Sequence, residues 1–134
     1  MLFSKKELNF EVPKVMGIIN LTPDSFSDGG KFICPKTLKT DRSKVLKEIE
    51  KMENQGAAFI DIGAESTRPN AFQISAAEEL DRLMPILDDI KNINAVVSID
   101  SSKGEVISEA IKNGVDFIND INSLKDKKAL KLVK

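Results

Sequence analysis

Histidine is absent from this sequence, and cysteine occurs once, at Cys34. Without an imidazole the chain holds no Ser-His-Asp triad, no histidine base and no histidine-ligated zinc. With one thiol it builds neither an internal disulfide framework nor a thiolate metal cluster. It suits a reducing compartment, the cytoplasm by default. Any metal bound here would need oxygen ligands, which points to magnesium or a similar hard cation. Long apolar runs are missing too: no segment approaches the ~20 residues of a membrane span. The N-terminus "MLFSKKELNFEVPKV" lacks the apolar core and small-residue cleavage site of a secretory signal. Neither sign of charge dominates, since 20 basic and 21 acidic residues leave a formal net charge of -1. That balance speaks against nucleic acid or an anionic membrane as the main partner. No G-x-G-x-x-G follows the first strand and no G-x-x-x-x-G-K-[ST] occurs, so dinucleotide and P-loop readings lose their main support.

What is present reads as alternating strands and helices. The 134 residues, 41% hydrophobic and 31% charged, suit one domain. Val15 to Asn20 reads as a short buried strand. In "DRSKVLKEIEKMEN", Val45, Leu46, Ile49 and Met52 share one helical face, and Gly56 ends the helix. "AAFIDIG" is the next strand. Ser75 and Glu78 form an S-x-x-E capping box opening a helix with Leu80, Leu83, Leu87 and Ile90 inward. Pro85 is predicted to kink or split that helix. "AVVSID" is a third strand, followed by a helix with Val106, Ile107, Ala110 and Ile111 inward, closed at Gly114. "VDFIND" is a fourth strand. This order predicts a parallel sheet with right-handed crossovers, its strands adjacent in chain order and its helices on one face. Polar residues stand where each strand gives out: Asn20, Asp61 shortly before Gly63, Asp100, Asn119 and Asp120. Polar groups at the C-terminal strand ends are the arrangement of a (β/α)8 barrel site. A complete barrel needs at least ~200 residues. The predicted fold is therefore α/β, the N-terminal half of a TIM (β/α)8 barrel. It forms one partial domain over residues 1–134, truncated after strand four inside the helix begun by "KDKKALKLVK". The first and fourth strands are then open edges, a route to self-association.

The first strand opens into "LTPDSFSDGG", too rich in hydroxyls, carboxylates and turn formers for a plain connector. "MGIINLTPDSFSDGG", "FIDIGAESTRPNA" and "VSIDSSKGEVISEAIKNGVDFINDINSL" together resemble dihydropteroate synthase, in the right order and at the right strand ends. The first string is the most specific, and the resemblance runs from about Val15 to Leu124. It implies a transferase of folate biosynthesis. The reaction condenses 6-hydroxymethyl-7,8-dihydropterin diphosphate with p-aminobenzoate, giving 7,8-dihydropteroate and diphosphate. It also implies a dissociative substitution in which diphosphate leaves with magnesium, a delocalised pterin-methylene cation forms, and the arylamine attacks. Such chemistry needs charge stabilisation and desolvation more than a strong base, and a site without histidine suits it.

By that resemblance the catalytic residues are Asn20, Arg68 and Asp100, with Asn20 the magnesium ligand. Magnesium keeps waters and leans on substrate phosphates, so one protein oxygen is enough. Thr67 would contact the diphosphate, Asp100 and Asn119 would hold the pterin edge, and Ile121 would pack on its ring face. The loop Thr22 to Gly30 would be a lid, with Phe26 an apolar wall for p-aminobenzoate and Asp28 ordering the closed state. Pro69 and Arg68 would close the second loop against it. Taken singly, these residues have plainer readings. Asn20 could simply turn a strand, Arg68 could be a solvated charge, and Asp100 could cap the helix after "DSSKGE". Asp61 and Glu65 read as supporting residues, Lys31, Lys36 and Lys39 as a solvated face, and Cys34 as a loop thiol. Where the family usually has "GGESTRPG" and "DTxKP", this chain has Ala64, Asn70, Ser101 and Gly104, and Gly104 is expected to loosen a helix start. The family draws an aspartate, a lysine and an R-x-H motif from its second half. The chain alone is therefore expected to be inactive until that half is supplied. Two other readings stand beside this one: a barrel like methyltetrahydrofolate methyltransferase, with a corrinoid-protein partner, and a non-enzymatic half-barrel for pterin binding or assembly.

Overall fold

A computed structural model describes residues 2–3, 6–23, 30–66 and 71–133. Phe26, Asp28, Thr67, Arg68 and Pro69 lie outside the described residues. A small antiparallel pair, β1 (Leu2–Phe3) and β2 (Lys6–Glu7), precedes the main sheet. The main sheet has four strands, β3 (Val15–Asn20), β4 (Ala57–Gly63), β5 (Val96–Asp100) and β6 (Phe117–Asn119). They are parallel throughout and adjacent in chain order, as the sequence predicts. The crossovers are α1 (Arg42–Asn54), α2 (Ala76–Leu87) with a short 3-10 turn at Ile90–Asn92, and α3 (Gly104–Lys112). The last helix is α4 (Lys127–Leu132).

Local signals account for most of these boundaries. Asp41 caps α1 by accepting from the Lys44 amide, and Gly56 takes the left-handed φ of 94° that ends it. Ser75 accepts from the Glu78 amide at 3.1 Å, while the Glu78 carboxylate turns to Arg82 at 2.7 Å. α2 runs through Pro85 without being split. The proline stands in the last turn, where little helix remains to be broken.

Strand alternation separates two faces of the sheet. Ile19, Ile62, Ile99 and Ile118 form one rung, and the first three are fully buried. They meet Val45 and Ile49 of α1, Leu83, Ile86 and Leu87 of α2, and Val106 and Ala110 of α3 in a single core. Each fully buried isoleucine contributes roughly 1.5–3 kcal/mol relative to exposure, so this helix-covered side holds the fold together. The opposite face carries Met16, Ile18, Phe59, Asp61, Val96, Ser98 and Phe117, then the strand ends. Phe10 lies against Phe59, ring centroids 6.2 Å apart, at the N-terminal end of that face. Ile18 remains 56% exposed and Phe117 42%, as befits the lumen side of a barrel with half its strands. Among the described residues no helix is long and apolar enough to cross a membrane.

Candidate functional site

Parallel register places Asn20, Gly63, Asp100 and Asn119 side by side on one rung at the C-terminal rim. Residues in register on parallel strands project to the same side, here the open face. Three of the sequence-predicted site residues thus converge. Asp100 and Asn119 are direct neighbours, whereas Asn20 stands two strands from Asp100 with Gly63 between. A Cβ at Gly63 would lie 3.5 Å from Asp100 Oδ2, so the carboxylate leans over the glycine. Ile121 is 62% exposed just beyond β6. Together with Asp100, Glu65, Ser66, Gln73 and Ser102 it lines a cavity of about 170 Å³ between the rim and the second loop. A larger cavity of about 600 Å³ lies at the β6 edge among Ile111, Phe117, Ile118, Leu124 and Val133, away from the rung.

One rung deeper, Asp61 and Ser98 are register partners and both are buried. Asp61 Oδ2 accepts from Asn119 Nδ2 at 3.0 Å. Among the described residues Asp61 Oδ1 and Ser98 Oγ have no hydrogen-bond partner. Above the rung, Lys103 Nζ bridges Glu65 Oε2 and Glu79 Oε2, each at 2.6 Å, and Glu79 is fully buried. Burial alone would lower the lysine's pKa, but its bonds to the two carboxylates outweigh that and hold it above its usual value. Glu65 Oε1 also accepts from the Ile74 amide at 2.9 Å, and Arg82 Nη1 donates to the Ala64 carbonyl at 2.9 Å. Both flanks of the second loop are therefore tied to the helix layer.

Burial pushes the Asp100 carboxyl up to about 6, and the carboxylates of Asp61, Glu79, Asp120 and Glu65 add to the effect. A carboxyl with a perturbed pKa at a strand-end rim is a candidate functional group, and in its ionised form it accepts from N–H groups of a ligand. Asp100 does not cap α3. That helix has Lys103 in its N-cap position with no side-chain cap, and its first amide, of Gly104, donates to Asp126 Oδ2 at 3.2 Å. Gly104 is no loosening residue either. A Cβ there would meet Lys128 Cβ at 2.9 Å and the Ala129 amide nitrogen at 3.1 Å, so glycine is what lets α4 approach α3. Asp120 spends its carboxylate on the amides of Asn122 and Leu124, shaping the turn after β6.

Sequence reasoning left Lys103, Glu79, Ser98 and Asp126 without a role. Glu79 had a legible signal. It stands on the apolar stripe of α2, four residues before Leu83 and seven before Ile86, where a carboxylate must find a cation.

The chain belongs to the family of pterin binding enzymes, whose pattern it matches over residues 16–134. It is 46% identical over 128 residues to the dihydropteroate synthase of Haemophilus influenzae, an alignment covering 95% of this chain and 44% of that protein. Its fold superposes on a Yersinia pestis dihydropteroate synthase solved with a sulfonamide drug complex. The TM-score is 0.87 at 40% identity, over 98% of this chain and 46% of that one. A Burkholderia cenocepacia dihydropteroate synthase complexed with 7,8-dihydropteroate matches with a TM-score of 0.78 at 36% identity, over 96% and 40% of the two chains. The chain thus spans less than half the length of these relatives, and its four-stranded sheet is the N-terminal half of their (β/α)8 architecture.

Proposed function

We propose that these residues supply the N-terminal half of a dihydropteroate synthase site. That site joins 6-hydroxymethyl-7,8-dihydropterin diphosphate to p-aminobenzoate and releases diphosphate in folate biosynthesis. The observation that carries the proposal is the strand-end rung Asn20–Gly63–Asp100–Asn119, formed on a fold that superposes on such synthases. Asp100 and Asn119 hold the amino-pyrimidinone edge of the pterin, and Ile121 covers its ring face. Thr67 and Arg68 meet the diphosphate oxygens, a match of hydroxyl and guanidinium to phosphate. Phe26, Asp28 and Pro69 belong to the loops that enclose p-aminobenzoate.

Asn20 ends β3 at the rim beside Gly63 and offers one neutral amide oxygen. That donor fits magnesium held by one protein oxygen, Asn20 Oδ1, with substrate phosphates and water completing its shell. When bound, magnesium would offset the charge that builds on the departing diphosphate. The protein's own work is to orient the pterin, exclude water and stabilise positive charge at the pterin methylene with nearby carboxylates. The single cysteine supports a reducing, cytoplasmic setting. The partner that completes the pocket is the complementary half of the barrel. In its absence the open β3 and β6 edges are available for self-association.

Complementation tests this reading. The 134-residue chain assayed alone is expected to form no dihydropteroate. Co-expressed with the C-terminal half of the Haemophilus influenzae relative, it is expected to form it from the two substrates. A folded, co-purifying pair with no turnover would count against the assignment, and turnover by the chain alone would show that the second half is dispensable.

A further inference from the structure

Asp61 reaches across a strand to a residue of the rim. Its register partner on β5 is Ser98, and Ser98 pairs in turn with Phe117 of β6. Asn119 lies two residues beyond Phe117, on the same face and one rung closer to the rim. Because the intervening Ser98 is small, the carboxylate passes over it and meets Asn119 Nδ2 at 3.0 Å. Asp61 is only 5% exposed and Ser98 is fully buried, so this contact sits beneath the site and away from bulk water. Among the described residues the second oxygen of Asp61 and the hydroxyl of Ser98 have no hydrogen-bond partner.

The chemistry of the contact is one-directional. The nitrogen end of the Asn119 amide faces Asp61 and donates to its carboxylate oxygen. The amide oxygen is then the group Asn119 offers to a ligand. Beside it on the rung stands Asp100, whose carboxylate also accepts. The geometry points to Asp61 as a specificity-determining positioning residue: it locks the Asn119 amide so that the Asp100–Asn119 pair presents acceptors side by side. Such a pair selects a heterocycle edge with contiguous N–H donors, as in a 2-amino-4-oxo pyrimidine ring. It rejects the same ring with an oxygen in place of the amino group. This deepens the pterin reading and rests on it. A free asparagine would be indifferent, since it turns over to donate as readily as it accepts.

Two probes separate the cases by calorimetry: pterin, with a 2-amino group, and lumazine, with a 2-oxo group. Assembled with the complementary half of the barrel, the protein is expected to bind pterin about ten- to hundredfold more tightly, the loss that follows from facing an acceptor with an acceptor. In the near-isosteric Asp61→Asn variant, whose amide can donate or accept, the preference is expected to fall to about threefold or less. An unchanged preference in a variant with wild-type circular dichroism would overturn the proposal, and so would a wild-type protein indifferent to the two probes. A ligand-free readout judges the lock separately. The Asn119 side-chain amide protons should exchange slowly in the wild type and faster, with shifted resonances, in Asp61→Asn. If those resonances do not move, Asp61 does not hold Asn119. If they move while neither pteridine binds the wild type, the lock stands, and both the pterin reading and the proposed selectivity fail.

Discussion

Asp100 ties stability and binding to the same proton. Its folded pKa of about 6 lies above the ~3.9 of an unfolded aspartate, so between those values the folded state binds more protons than the unfolded one. This contribution to stability is fully present below about pH 4, declines as pH rises through about 6, and is absent above that. Asp100→Asn should therefore stabilise the protein at pH 7.5 and change little at pH 4. After discounting for the solvent-screened part of this half-buried group, the gain is of order 1 kcal/mol. Thermal melts at the two pH values check this, and equal effects at both would contradict it. Pterin binding should move the other way. The carboxylate is the better acceptor, so affinity should fall as pH drops below 6, and Asp100→Asn should weaken pterin about ten- to hundredfold at neutral pH. Asn20→Ala, two strands away, should leave pterin binding nearly intact and weaken only magnesium-dependent binding of diphosphate ligands. Calorimetry on the protein assembled with its complementary half, with pterin alone and with the diphosphate plus magnesium, separates the two. The rim residues were legible because each breaks an apolar strand with a polar group. Their pairing with Asp61 was not, because it links positions 58 apart in the chain through a register that no local pattern displays.

Among the elements, α3 is held at its start by contacts from three other segments, and two substitutions probe them. Lys103 stands between Glu65 and the fully buried Glu79. Lys103→Met would leave a buried carboxylate without its cation, which costs about 3–5 kcal/mol. Removing the charge as well, in Lys103→Met with Glu79→Gln, should restore much of that loss in urea unfolding. If the double variant is no more stable than the single one, the buried charge is not what destabilises it. Gly104 sets helix propensity against close approach. Alanine is about 1 kcal/mol the better helix former, yet its Cβ would press on Lys128 and the Ala129 backbone. Gly104→Ala is therefore expected to lower the melting temperature, and a rise would show that α4 yields easily. Helix stops at Gly56 and Gly114 and the cap at Ser75 were readable because glycine and serine act through their own backbone neighbourhood. The start of α3 was misread because its cap arrives from Asp126, 22 residues later. The roles given to Phe26, Asp28, Thr67, Arg68 and Pro69 came from resemblance alone, since a loop motif fixes no geometry.

For the whole molecule, the helix-covered side of the sheet is finished and the lumen side is not. On that face Met16, Ile18 and Phe117 are each at least 40% exposed, and among the described residues β3 and β6 each pair on one side only. Contiguous apolar surface with free strand edges drives association. The purified 134-residue chain should increase in apparent mass with concentration in sedimentation velocity, and Ile18→Lys with Phe117→Lys should reduce that increase. A monomer unaffected by concentration would show that the face is tolerated in water. The single rung at the rim also bears on how such a chain can change length. A residue deleted within β4 would turn Asp61 toward the helices and Ile60 and Ile62 toward the lumen, because side chains alternate along a strand. Residues gained or lost between Gly63 and Ser75 leave every register intact. Descendants of this sequence can therefore vary in length at the loops while the spacing inside each strand stays frozen, and a library of insertions should sort into survivors and failures along those borders.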